Sequence, residues 1–355
     1  MNLLAHEEVV VRRGRRSGIY IVISIHSTAL GPSLGGLRLW RYGALGDAIA
    51  DGLRLSEAMT YKAAAAGLNL GGGKAVICLP PDRELPAEDR RDLMLDVGDV
   101  VQLLEGRYLT AEDVGTDTDD MLVIRERTEH VTGLPIDSGG SGDPSPITAR
   151  GVESAIRASC EHRYGTGDLA GRRVTVVGLG HVGSRLAERL TSDGAQLAVS
   201  DIDPGKREIA EALGATWLDP ADAVTAECEL LAPCALGGAI DSDNVKRLRC
   251  EIVCGAANNV LAARSLAGNL AELGILYAPD FIANAGGLIN VYSEVHSLDP
   301  KRIDSLVDGI GEELGRVFAA AEARSVTPLA AARALAEERL DAAMEGVLPA
   351  PAAGV

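Results

Sequence analysis

The apolar positions change period several times along the chain, and each change marks an element. Residues 8–30, EVVVRRGRRSGIYIVISIHST, carry β-branched and aromatic runs on either side of an Arg/Gly turn, which predicts two strands. GPSLGGLRL follows and, with its density of Gly and Pro, predicts a loop. Leu45, Ile49, Leu53 and Met59 then recur near a 3.6-residue period, so a helix is expected there, with Gly67 as its stop and Lys62 in its last turns. KAVICLP reads as a buried strand that Lys74 opens directly after a triple glycine. A helix is expected over 87–105, YLTAEDVGT as a strand running into a loop, and TDDMLVIRERTEHVTG as another helix and a turn.

Residues 134–146, LPIDSGGSGDPSPIT, concentrate Pro, Gly, Ser and Asp and predict a hinge between domains. Beyond it an amphipathic helix leads into strand–helix alternation: RRVTVVGLG, AQLAVSDID, ELLAPCAL, CEIVCGAANN and ILYAPDFIANAGG are apolar runs with helical stretches between. That alternation predicts a parallel α/β sheet. After residue 287 the pattern is helical to about 346. The expected organisation is a first domain over 1–135, a dinucleotide domain over 145–285, and C-terminal helices over 286–346 packing back on the first domain.

Composition narrows the function classes. With 355 residues, two domains fit, and 46 % hydrophobic residues supply a core although only 3 % are aromatic. The formal net charge of −17 argues against nucleic acid or an anionic membrane as partner, since both reward Lys and Arg. The six cysteines sit in apolar runs without a CxxC pair, which predicts reduced, buried thiols and a cytoplasmic location. The histidines show no metal-ligand spacing, so no metal is expected.

RRVTVVGLGHVGSRLAERL places Gly178, Gly180 and Gly183 as G-x-G-x-x-G straight after an apolar strand, and a second strand ends at Asp201 about twenty residues on. Such glycines permit a tight turn, let backbone N–H groups approach a pyrophosphate and let helix and strand pack closely; the helix N-terminus favours the phosphate charge. Asp201 can accept hydrogen bonds from the adenosine ribose and repels a 2′-phosphate, so NAD is expected over NADP. His181 and Val182 at the x positions and Ile202 after the acid complete this part of the cofactor set.

MTYKAAAAGLNLGGGKAVI sets Lys62 and Lys74 on either side of a run of small residues, and Asp113 follows Glu112 at a strand end. Spacing alone leaves two readings open: lysines that bind an anion or carry a tuned proton, or a surface helix lysine and a strand-edge gatekeeper. Glu112 reads as a solvated carboxylate, because adjacent strand residues point to opposite faces.

LGGLRLW, MTYKAAAAGLNLGGGKAVI, GRYLTAEDVGTDTDDM, LLAPCALGGAI, CGAANN and LYAPDFIANAGGLINV, in this order and over nearly the whole chain, resemble the amino-acid dehydrogenase family acting on glutamate, leucine, phenylalanine and valine, with leucine and valine dehydrogenases as the nearest branch. The resemblance implies a first α/β domain with a mixed open sheet, a Rossmann domain, a cleft separating them, and a homo-oligomer built through the first domain. It implies that Gly35, Gly36 and Lys62 hold a substrate α-carboxylate, completed by Asn284, that Lys74 is catalytic, and that Asp113 moves protons to and from the amino group. Repulsion between the two lysines, with desolvation, is expected to lower the pKa of Lys74. Thr148 is implied near the nicotinamide amide, and Cys234, Ala235, Ala257, Asn258 and Asn259 near the nicotinamide ribose.

Leu34, Ala111, Thr132, Leu288 and Val291 match the pocket positions of relatives with apolar substrates. Glutamate-acting members have Lys where Leu34 stands and usually Ser where Val291 stands; Leu37 stands where Thr is frequent. An apolar pocket cannot pair a side-chain carboxylate. The resemblance therefore implies NAD-dependent oxidative deamination of an aliphatic L-amino acid to a 2-oxo acid and ammonia, with a phenylalanine- or tryptophan-acting member as the nearest alternative. A different two-domain NAD enzyme with a lysine in its cleft, such as a folate-intermediate dehydrogenase, and a non-enzymatic NAD-binding regulator are the competing classes.

Overall fold

The computed structural model of the chain describes residues 5–346. Two compact units emerge: Met1–Asp143 with Val291–Leu298 and Ala336–Val355, and Pro144–Asn290 with Asp299–Leu335.

The first unit runs β1 (Glu8–Arg13), β2 (Tyr20–Ser27), β3 (Ser33–Arg41), α1 (Leu45–Ala65), β4 (Gly71–Leu79), α2 (Ala87–Gln102), β5 (Tyr108–Glu112) and α3 (Thr118–Arg125). Its strands form one sheet in the order β1-β2-β4-β3-β5. β1 and β4 run antiparallel to β2, while β4 and β5 run parallel to β3, so the sheet is mixed. Period-two alternation divides its faces. Ile21, Ile23, Leu37, Ala75 and Ile77 join Leu93, Val97 and Ile124 in one core. On the opposite face Val22, Val76 and Cys78 pack with Ala48 of α1.

The stretch expected as a loop, GPSLGGLRL, is largely β3, and the three glycines before Lys74 are the first residues of β4, so the strand opens at Gly71 and not at Lys74. Glycine density signals a turn when the chain is exposed. Here it answers crowding: a Cβ on Gly72 would stand 2.1 Å from the Thr60 backbone nitrogen of α1. Small side chains let α1 lie against the sheet, so Lys74 is the fourth residue of a fully buried strand.

The second unit contains α4 (Ser145–Tyr164), β6 (Arg173–Val177), α5 (His181–Ser192), β7 (Gln196–Ser200), α6 (Arg207–Ala212), β8 (Thr216–Trp217), α7 (Pro220–Ala223), β9 (Leu230–Pro233), β10 (Ile252–Val253), α8 (Leu266–Glu272), β11 (Leu276–Tyr277) and α9 (Asp280–Ala283). All six strands are parallel, in the order β11-β10-β9-β6-β7-β8. Strand order reverses at β6, the switch point where α/β sheets open a crevice at their carboxyl ends.

Three helices follow: α10 (Gly286–Val295), α11 (Pro300–Arg324) and α12 (Pro328–Met344). The stretch 286–346, expected to pack as one group on the first domain, is divided between the units. α11 packs along α4, where Arg150 pairs with Asp304 and, at 2.9 Å, with Asp308. An amphipathic pattern shows which face of a helix is apolar and not which surface receives it. In the first unit, Glu294 accepts hydrogen bonds from Gly133 N (3.1 Å), Ser141 N (3.0 Å) and Ser141 Oγ (2.8 Å), tying down the glycine-rich stretch expected as a hinge. Among the described residues no helix is long and apolar enough to cross a membrane, and no group of three His, Cys, Asp or Glu side chains is placed to hold a metal ion. All six cysteines are unbonded.

Candidate active site

Strand register assembles the first half of the site. Leu34 pairs with Gly72 of β4 and Leu109 of β5, Gly36 with Ala111, and Arg38 with Val76. Alternation then puts Leu34, Gly36, Arg38, Lys74, Leu109 and Ala111 on one face of the sheet, the face α1 covers. Leu37 pairs with Glu112, so continuing the register by one residue sets Asp113 beside Arg38.

The side chains meet where the register predicts. Lys74 Nζ lies 2.9 Å from Asp113 Oδ2, and Lys74 is only 5 % exposed. Arg38 Nε donates to the same Oδ2 at 3.1 Å. Burial is the largest influence on Lys74 and lowers its pKa; Asp113 opposes that shift and the Arg38 guanidinium adds to it. Asp113 is pushed up by burial, but Lys74 and Arg38 more than offset this and hold it below the usual carboxylate range. Arg38 is a contributor the sequence reading missed. Its signal was its place in LGGLRLW at even spacing from Gly36, legible only once that stretch is known to be a strand.

Local structure holds Asp113 from behind. Its N–H donates to Thr116 Oγ1 (3.0 Å), and that hydroxyl donates to Leu37 O (2.8 Å). A Cβ on Gly36 would stand 2.7 Å from Asp113 Cβ, so only glycine leaves this surface clear. The Gly35 carbonyl accepts a hydrogen bond from the fully buried Tyr108 hydroxyl. Lys62 is half-buried in the last turn of α1. Glu112 is exposed and accepts from Thr118, as a solvated carboxylate should.

Of the five side-chain pocket candidates, Leu34, Ala111 and Thr132 are buried in the first unit, with Thr132 donating through N and Oγ1 to Thr110 O. Val291, half-buried, belongs to the first unit and Leu288, buried, to the second.

The cofactor candidates gather at the carboxyl ends of the second sheet. Gly178 follows β6 with φ +104°. A Cβ on Gly183 would stand 1.9 Å from Gly178 O, so α5 can approach the loop only with glycine there. Gly180 is the N-cap of α5 and supplies no side-chain cap, while a Cβ placed on it would meet nothing within 4 Å. The first-turn N–H groups of α5 thus border open space, next to the exposed His181 and half-buried Val182, as a pyrophosphate requires. Asp201 accepts Leu179 N at 2.7 Å and Asp203 N at 2.9 Å, which ties the acid to the glycine loop; Ile202 beside it is 88 % exposed. Cys234 N donates to Val177 O at 2.7 Å, seating Cys234 and Ala235 against this loop. Burial pushes the Cys234 thiol up to about 12, so it is a packing group and not a nucleophile. Thr148 donates to Pro144 O at 2.8 Å and lines the start of α10, its Oγ1 3.3 Å from where a Gly287 Cβ would be.

Asn284 is 3 % exposed, and its Nδ2 lies 3.1 Å from Ala256 O, 3.2 Å from Ala257 O and 2.9 Å from Asn258 Oδ1. This organises the 257–259 stretch, whose Asn259 adopts φ +52°. The Asn284 Oδ1 is buried without a partner among the described residues. The opposite amide orientation would face an oxygen to three acceptors, so the free atom is an acceptor. It suits an N–H group; carboxylate binding requires the amide to turn over.

Both units have counterparts among known proteins. The description "Glu/Leu/Phe/Val dehydrogenase, dimerisation domain" fits residues 4–130, and "Glutamate/Leucine/Phenylalanine/Valine dehydrogenase" fits 203–346. Residues 149–235 fit "D-isomer specific 2-hydroxyacid dehydrogenase, NAD binding domain". The chain is 42 % identical over 338 residues to leucine dehydrogenase from Thermoactinomyces intermedius, covering 95 % of this chain and 91 % of the relative. It is 44 % identical over 339 residues to valine dehydrogenase from Streptomyces virginiae, covering 94 % of each. The crystal structure of L-tryptophan dehydrogenase from Nostoc punctiforme superposes with a TM-score of 0.85 at 38 % identity, covering 96 % of this chain and 98 % of that one. Two α/β units of these types, a buried lysine paired with Asp113, and these likenesses over almost the full length place the chain in the Glu/Leu/Phe/Val dehydrogenase family.

Proposed function

We propose that the protein catalyses the reversible NAD-dependent oxidative deamination of an aliphatic L-amino acid of the leucine/valine type, giving the 2-oxo acid and ammonia. The observation that carries this reading is the buried Lys74, with its Nζ 2.9 Å from Asp113 Oδ2. The leucine and valine dehydrogenases among its relatives support the substrate class, as do apolar Leu34 and Ala111 on the same face as that pair.

Lys62 and the Gly35–Gly36 backbone are assigned to the substrate carboxylate. Asp113 takes a proton from the substrate ammonium, freeing the nitrogen lone pair. A bound NAD would supply the acceptor for the hydride that leaves Cα. The substrate is then an iminium ion, which a water molecule attacks while neutral Lys74 accepts the proton that water loses. Asp113 returns a proton to nitrogen, the C–N bond breaks, ammonia leaves, and the carbinol O–H proton is released as the carbonyl forms. The residues assigned to NAD are the Gly178–Gly183 loop, Asp201 and Ile202, with Thr148, Cys234, Ala235, Ala257, Asn258 and Asn259. Self-association through the first unit is part of the proposal, supported by the dimerisation-domain likeness of residues 4–130 and by β1 lying at a sheet edge.

The test is a panel of L-amino acids with NAD, following reduced nicotinamide and released ammonia. Leucine or valine should head the panel. Preference for glutamate, or nicotinamide reduction without ammonia, would overturn the assignment; preference for phenylalanine or tryptophan would move it to the aromatic branch.

A further inference from the structure

Arg38 touches more than Asp113. Its guanidinium bridges two carboxylates: Nε donates to Asp113 Oδ2 and Nη1 to Asp51 Oδ2, each at 3.1 Å. Asp51, on α1, is itself fixed by the Tyr42 hydroxyl at 2.8 Å and by Arg54 Nη2 at 2.6 Å. A continuous polar chain thus runs Tyr42–Asp51–Arg38–Asp113–Lys74 from α1 across β3 and β4 to the end of β5. Both cations meet Asp113 on Oδ2, and Oδ1 carries no hydrogen bond among the described residues.

We propose that Arg38, anchored by Asp51, is a positioning residue for the deamination: it holds Asp113 by Oδ2, leaves Oδ1 for the substrate amine, and prevents Lys74 from having the carboxylate to itself. The inference rests on the amino-acid dehydrogenase reading. A planar guanidinium can bridge two carboxylates at fixed geometry, which a lysine ammonium cannot. Arg38 also keeps its proton throughout the working pH range, so when two cations share one carboxylate, the one that yields a proton is Lys74.

The charged and titratable groups around Lys74 are few. Asp113 approaches from the end of β5, Arg38 from β3, and Asp51 and Arg54 from α1, which also carries Lys62 three turns further on. Tyr42 and Tyr108 are phenols whose pKa burial raises, so both stay neutral. β2 faces Lys74 with Ser24, which has no charge. Among these, Arg38 disfavours the protonated lysine and Asp51 favours it. Neutralising one or the other should therefore move the Lys74 titration in opposite directions.

The experiment is kcat/KM for the best aliphatic L-amino acid against pH, for the parent, Arg38→Gln, Arg38→Lys, Asp51→Asn and Lys74→Ala, with a thermal melt of each. Arg38→Gln should move the ascending limb to higher pH. Asp51→Asn should move it to lower pH. Arg38→Lys, which keeps the charge and loses the bridge, should leave the limb in place and lower kcat more than it changes KM. A merely structural role would lower melting temperature and activity without displacing the limb in opposite senses. An unmoved limb in Arg38→Gln, or displacement of both variants in the same direction, would overturn the proposal; if Arg38→Gln does not fold, an Asp51→Asn limb that stays in place or rises does so. Deamination that survives Lys74→Ala would bring down the underlying reading and this inference together. A dead Lys74→Ala with unmoved limbs elsewhere removes the inference alone.

Discussion

At the scale of single residues, the fold takes one lysine out of water and gives it a shared partner, and the proposed chemistry rests on that. Burial disfavours the ammonium form of Lys74, and Asp113 restores part of that loss. A buried ammonium with no partner is costly by several kcal/mol, so the pair is interdependent. Removing the amine should abolish proton transfer and leave the fold: Lys74→Ala is expected to lower kcat/KM for deamination by about 100- to 10 000-fold, with an unchanged circular dichroism spectrum. Activity within a few-fold of the parent would contradict the assignment. In the proposed mechanism the neutral amine is the reactive form; with its pKa lowered, activity should rise with pH through that pKa and fall on acidification. The repulsion expected between Lys62 and Lys74 is not needed to explain the direction, since burial leads and Arg38 supplies an opposing positive charge.

Elements decide where such residues stand. β3 reads as a loop in the sequence, and the glycines before Lys74 as lying outside its strand, because glycine usually means exposure; inside a sheet crowded by α1 the same residues mean proximity. Once they are strands, period two places Lys74, Arg38 and Asp113 on one face with no further assumption. The glycine loop of the second unit follows a similar logic, but its signature was legible because strand, glycines, helix and acid stand in consecutive segments. Gly183→Ala tests it. The added methyl would collide with Gly178 O, so NAD affinity measured by equilibrium dialysis should fall at least about tenfold, on the order of 1.4 kcal/mol, while the far-ultraviolet spectrum stays that of an α/β protein. Undiminished affinity would mean that the pyrophosphate does not use this loop.

For the whole molecule, stability and association depend on contacts between distant segments. Asp96 of α2 is buried and accepts Ser17 N and Ser17 Oγ, each at 2.8 Å, together with Arg16 Nη1 at 2.9 Å. Burial pushes its carboxyl up, but these donors outweigh burial and hold it below the ordinary carboxylate value. A depressed folded-state pKa stabilises above the unfolded value and is lost as pH falls through the folded one. Asp96→Ala should therefore cost about 2 kcal/mol in urea unfolding near neutrality, and the gap to the parent should narrow near about pH 3. An equal gap at both pH values would exclude a charge-dependent role. Sedimentation velocity checks association: the protein should sediment as an oligomer, and a monomer at micromolar concentration would remove that part of the proposal.

The chain's own pattern was enough for the two α/β halves, the helix carrying Lys62 and the strand–glycine–helix turn at 178–183, because each rests on residues adjacent in sequence whose spacing matches one element. Motif resemblance added the identities of Lys74 and Asp113. What remained for tertiary structure were matters of partnership: that glycine-rich segments are strands, that α11 packs on α4, that Asn284 keeps an acceptor free, and that Arg38 stands between Asp113 and Asp51. Local periodicity records which side of an element avoids water. Which element covers that side, and which charge meets which across a sheet, depends on the register and packing of segments far apart in the chain.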